Sequence, residues 1–122
     1  MRSAIFKSLT RYYIVCTPAE RKDITDSVKT ICEDVISDRS EENQHSFLVF
    51  VLEVTKIDKS AGSEILNRIS DRLKPVYISN KNEQIREIFY DLMVHLYDTN
   101  EEFKGVAKSS LIRGLSDASP RI

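Results

Sequence analysis

The 122-residue chain has no tryptophan, three glycines, three prolines, two cysteines and two histidines. Each scarcity closes off a class of protein. Cys16 and Cys32 cannot build the disulfide framework of a small secreted domain. Both stand beside apolar residues, so reduced and at least partly buried thiols are expected. Zinc-ligand spacing is absent, because His45 and His95 are distant in sequence from both cysteines. Few glycines and prolines suit helices with short connections better than a strand-rich sandwich. Gly62, Gly105 and Gly114 are isolated, and neither H-R-D nor D-F-G occurs, so this chain does not hold the parts of a kinase site. A net charge of −1 offers no bulk attraction for nucleic acid. The apolar runs fall far short of the ~20 residues of a membrane span. The run Tyr12-Tyr13-Ile14-Val15-Cys16 is too short for a secretory signal and follows charged residues. An intracellular soluble protein is expected, without a membrane, a small-molecule ligand or a cofactor as partner. No catalytic, cofactor-binding or metal-binding residue is assigned.

What is present is helical patterning in one domain with a modest core, at 41% hydrophobic and 30% charged residues. Ile5, Phe6, Leu9, Tyr12 and Tyr13 recur at helical spacing over residues 2–15. Thr17-Pro18-Ala19-Glu20 is a helix start: Thr17 as N-cap, Pro18 in the first turn, Glu20 reaching back. Ile24, Val28, Ile31, Cys32, Val35 and Ile36 then form one stripe. Residues 37–46 read as a polar connection, with Ser40-Glu41-Glu42 as a possible first turn of the next helix. Phe47-Leu48-Val49-Phe50-Val51-Leu52 is locally strand-like. No other segment offers it a pairing partner, so it is read as a buried helix touching neighbours on both sides. Ser60 to Leu73 reads as the next helix, with Ile65, Leu66, Ile69 and Leu73 inward, Gly62 weakening its first turn and Pro75 ending it.

The stretch that organises the chain follows. Ile85, Ile88, Phe89, Leu92, Met93 and Leu96 fall on one helical face, opposite Glu83, Arg86, Glu87, Asp91, His95 and Asp98. Asn80 and Asn82 compete as N-cap. Asn100 opens a further helix with the stripe Phe103, Val106 or Ala107, Leu111 and Leu115. The polar turn before Ile85 and the polar turn before Pro120 lie about 36 residues apart, close to a HEAT or armadillo period. The chain stops at Pro120-Arg121-Ile122, where a second repeat helix should begin, so a partial array is expected. The fold class is therefore all-α: about six helices in antiparallel pairs, stacked as a HEAT- or armadillo-like α-solenoid fragment over residues 1–122.

Two blocks carry a family resemblance. Arg86, Glu87, Tyr90, Leu92, Met93 and Asp98 follow R-E-x-x-Y-x-L-M-x-x-x-x-D. Ala107, Lys108, Leu111, Ile112, Gly114, Leu115, Asp117 and Pro120 follow A-K-x-x-L-I-x-G-L-x-D-x-x-P. This part of the chain resembles the middle helical array of the DNA-dependent protein kinase catalytic subunits. In that family a longer acidic insertion separates the blocks, and here only residues 99–105 do. The resemblance implies a nuclear setting, a parent serine/threonine kinase of double-strand break repair by non-homologous end joining, and DNA ends and the Ku heterodimer as partners of that parent. It carries over no catalytic residue.

The expected function is thus a non-catalytic scaffold whose partners are neighbouring helical repeats. The rival is a stand-alone all-α adaptor that binds a partner protein or peptide in a groove. A third option, a small all-α enzyme, requires a polar cluster inside a pocket. Arg2, Lys7, Arg11, Arg21 and Lys22 make the N-terminal quarter basic and read chiefly as solvated helix faces.

Overall fold

A computed structural model describes residues 2–69, 72, 76–77, 80–97 and 101–115. These contain six α-helices and no strand: α1 (Arg2–Val15), α2 (Pro18–Ile36), α3 (Glu41–Ile57), α4 (Lys59–Asn67), α5 (Glu83–Leu96) and α6 (Glu101–Gly114). The expected Leu73, Pro75, Asp98 and Asn100, and residues 117–122, lie outside the described residues. So do the side chains of Phe103, Val106 and Ala107.

Side-chain caps set the starts of four helices. Thr17 Oγ1 accepts from the Glu20 amide and Glu20 Oε1 accepts from the Thr17 amide, the reciprocal pair that satisfies two otherwise orphaned donors. Ser40 Oγ caps α3 through the Asn43 amide. Asp58 caps α4 through the Ala61 amide, and Asn82 caps α5 through the amides of Gln84 and Ile85. Asn80 is thereby set one step back: its Oδ1 accepts from the Asn82 amide. Ser40 places the start of α3 within the stretch expected to be a connection, which therefore shrinks to residues 37–40.

The strand-like run of the sequence is the middle helix. Phe47, Leu48, Phe50, Val51, Leu52 and Val54 of α3 are all buried. The periodicity of one wet face is missing because α3 has three main neighbours, α1, α5 and α4. Phe6 and Tyr13 of α1 bring their rings onto Phe47 and Phe50 at centroid distances of 5.5, 5.6 and 6.1 Å. Tyr77 stacks on Phe89 of α5 at 5.5 Å. Each such fully buried apolar side chain contributes about 1.5–3 kcal/mol relative to exposure. The helices thus meet in two groups: α1, α3 and α5 side by side through α3, and α2 against α4, with α3–α4 and α5–α6 contacts joining successive helices.

One expected boundary is wrong. The fourth helix ends at Asn67 and not near Leu73. Its end tightens into three-residue hydrogen bonds, Arg68 N to Ile65 O at 3.3 Å and Ile69 N to Leu66 O at 3.1 Å. Ile69 is nevertheless fully buried, as its spacing predicted. Gly62 has a role that its weak helix propensity concealed. A Cβ on it would lie 2.0 Å from Thr55 Oγ1, so α4 approaches α3 more closely than any side chain permits.

Candidate functional site

Three concave regions collect the polar side chains. The first, about 510 Å³, lies between the end of α1, the first turns of α2 and the α3–α4 junction, and is lined by Arg21, Lys22, Asp26, Lys29, Asp58 and Glu64 among others. Most of its charge serves the fold. Arg21 donates from Nε to Tyr13 O at 2.8 Å and from Nη2 to Ile14 O at 2.9 Å, which caps the last carbonyls of α1. Its guanidinium also lies over the Tyr13 ring, 5.5 Å from the centroid. Lys29 bridges Asp26 at 3.5 Å and Glu64 at 3.3 Å, and Asp58 is the α4 cap. Tyr12 donates to Glu20, which raises the phenol's pKa and lowers that of the carboxyl. The basic N-terminal quarter is thus partly consumed internally, with Lys7 also 3.9 Å from Glu42.

The second cleft, about 620 Å³, lies where α2 ends and α3 begins, and reaches Arg72, Val76, Asn80 and Lys81. Its base is Gln44, only 4% exposed. Gln44 Nε2 donates to Val35 O at 3.4 Å, to Ile36 O at 3.1 Å and to Asp38 O. One buried amide thus closes the open carbonyl end of α2. Gln44 Oε1 is buried and has no partner among the described residues. The two acids of this cleft are occupied: Asp38 accepts from the Ser40 amide and Asn43 Nδ2, and Glu41 accepts from Asn82 Nδ2 at 3.0 Å. Arg72 donates one bond to Ser37 Oγ at 2.8 Å. Arg39 and Lys81 are exposed and have no side-chain partner among the described residues. Sequence reasoning passed over this cleft, since its residues come from α2, α3 and two connections and share no motif.

The third, about 250 Å³, runs along the α1–α3 seam past Lys7, Arg11, His45 and Val49.

The two cysteines and the two histidines lie in different parts of the fold. Cys32 is fully buried, with Sγ toward Lys29 O and Ile65 O, and burial pushes its thiol pKa up. His45 lies on the α1–α3 seam, and His95 bonds Asp91 O at 2.9 Å on α5. Cys16 is half-buried and unbridged. Among the described residues, no three metal-ligating side chains cluster, and no helix is long and apolar enough to cross a membrane.

Of the residues that carry the family resemblance, Tyr90, Leu92 and Met93 are buried in the core. Arg86 ties the preceding loop to α5 by donating to Asn80 O at 2.8 Å and Lys81 O at 3.1 Å. Leu111, Ile112 and Leu115 are exposed, and Asp98, Asp117 and Pro120 lie outside the described residues. Compared with known protein families, curated proteins and solved structures, the chain matches none.

Proposed function

We propose that the chain is a non-catalytic helical-repeat segment, in which α1–α2, α3–α4 and α5–α6 are successive units. The observation that carries this reading is the neighbour pattern: α3 between α1 and α5, with α2 on α4. A stacked array of helical pairs requires that alternation, because each pair buries its apolar face only against the next. A second observation supports it. On α1, away from Phe6 and Tyr13, Ile5 is 59% exposed and Tyr12 47%, with half-buried Leu9 between them. A further repeat stacked beside α1 would cover this flank.

The role in such an array is mechanical: spacing and curvature, with chemistry elsewhere. Membership of a DNA-dependent kinase-like array, with its nuclear setting, DNA ends and Ku, rests on the two sequence blocks alone. Sedimentation velocity tests the repeat reading. The purified chain is expected to self-associate with rising concentration and to bind a hydrophobic dye, and Ile5→Lys with Tyr12→Lys to reduce both. A dye-silent monomer at every concentration would favour the stand-alone adaptor.

A further inference from the structure

The outer helices of the row, α1 and α5, both carry apolar side chains that the fold leaves exposed. On α1, Ile5 and Tyr12 stand a quarter-turn from the buried Phe6 and Tyr13. The small side chains of Ala4 and Ser8 leave a shallow groove there against Ile5 and Leu9. On α5, Val94 is 54% exposed. It stands two residues from Leu92 and from Leu96. That puts it about 200° around the helix from their buried stripe, on the side turned away from the core. Inside the chain, α3 packs one helix of the row on each of its sides. Joining the α5 flank of one copy to the α1 flank of another continues the same row.

Charge decides between the possible pairings. α1 carries Arg2, Lys7 and Arg11 and no acidic residue. Lys7 has Glu42 of its own copy, and Arg11 has no partner among the described residues. Glu20 of α2 reaches Tyr12 but is held in the α2 cap. Two α1 flanks face to face would set Arg11 against Arg11. The charged side chains described as exposed on α6 are Lys104, Lys108 and Arg113, so α6 would also bring cations to α1. The α5 flank brings acids: Asp91 and Glu87 are exposed and stand three and seven residues before Val94, on its side of the helix.

We propose that a second copy of this chain docks through its α5 flank on the α1 flank, with Val94 seated beside Ile5 and Tyr12, and Glu87 and Asp91 facing Arg11. The proposal rests on the repeat reading and names what covers that flank when the chain is alone. The two surfaces differ, so each docked copy leaves one of each kind open, and association runs on as a series instead of closing at a dimer.

Sedimentation velocity of two variants, alone and mixed, tests this. Ile5→Lys with Tyr12→Lys blocks the α1 flank, and Glu87→Lys with Val94→Lys blocks the α5 flank. The wild-type chain is expected to give dimers, trimers and larger species as concentration rises. Each variant alone should stay monomeric to at least about tenfold above the wild-type midpoint. Their equal mixture should form a dimer and stop there, because each variant keeps the surface that the other lacks. Circular dichroism checks the fold. Should either variant fail to fold, Arg11→Glu and Glu87→Lys with Asp91→Lys, all at exposed positions, should each weaken association alone and restore it when mixed. The docking is overturned, with the repeat reading left standing, if the α5-blocked variant still dimerises alone, if the mixture stays monomeric, or if the wild-type chain binds dye yet never associates. A dye-silent wild-type monomer overturns both.

Discussion

At the scale of single residues, the clearest distinction is between polar groups that are paid for by partners and polar groups that are not. Thr17 belongs to the first kind. Its hydroxyl and the Glu20 carboxylate close the start of α2 reciprocally. Thr17→Ala is expected to lower stability by about 1 kcal/mol, read from urea unfolding. Glu20 also sets a pH dependence. Its folded pKa is depressed, first by the Tyr12 hydroxyl and then by Thr17. Its stabilisation is therefore present above the unfolded carboxyl pKa and lost as pH falls through the lower folded one. Tyr77 is the second kind: its ring is fully buried against Phe89, and its hydroxyl has no partner among the described residues. Tyr77→Phe removes the orphan group and keeps the ring, so stability at neutral pH should stay level or rise by about 1 kcal/mol. Burial also raises the Tyr77 pKa above its ordinary 10.0. The wild-type chain should thus keep full stability below about pH 10 and lose it as pH climbs toward the raised value, with a smaller loss in Tyr77→Phe. The Thr17 box is legible in sequence because all its parts lie within one turn. Gln44 is not, because the carbonyls it closes belong to another helix.

Among the helices, α3 and α4 show how tertiary contact overrides local pattern. The run Phe47–Leu52 has strand composition, and only the lack of pairing partners argues for a helix. Its all-round burial between α1, α4 and α5 explains why no amphipathic period marks it. Apolar spacing continues through Ile69 while the backbone has already tightened after Asn67, so the spacing overruns the end of α4. Gly62 reads in sequence as a weak helix position and in space as the contact that lets α4 lie on Thr55. Gly62→Ala should therefore destabilise by about 1–3 kcal/mol, despite alanine's better helix propensity. Combining it with Thr55→Ala should recover part of that loss in a double-mutant cycle. An additive result would mean that α4 does not approach α3 so closely.

For the whole molecule, helix number and class were legible from periodicity, because each stripe buries one face in a shared core. Which helices touch was not, since the pairings of α1 with α3 and α3 with α5 depend on contacts across the chain. The cleft at the end of α2 was hidden for the same reason. The contacts put α1, α3 and α5 in a row in which α3 separates the outer two. Nuclear Overhauser contacts between aromatic and methyl groups test this most directly. Cross-peaks are expected from the Phe6 ring to Phe47 and Phe50, from Tyr13 to Phe50, and from Tyr77 to Phe89. Cross-peaks from Phe6 to Phe89 or Met93 of α5 would mean a closed bundle and would contradict the row.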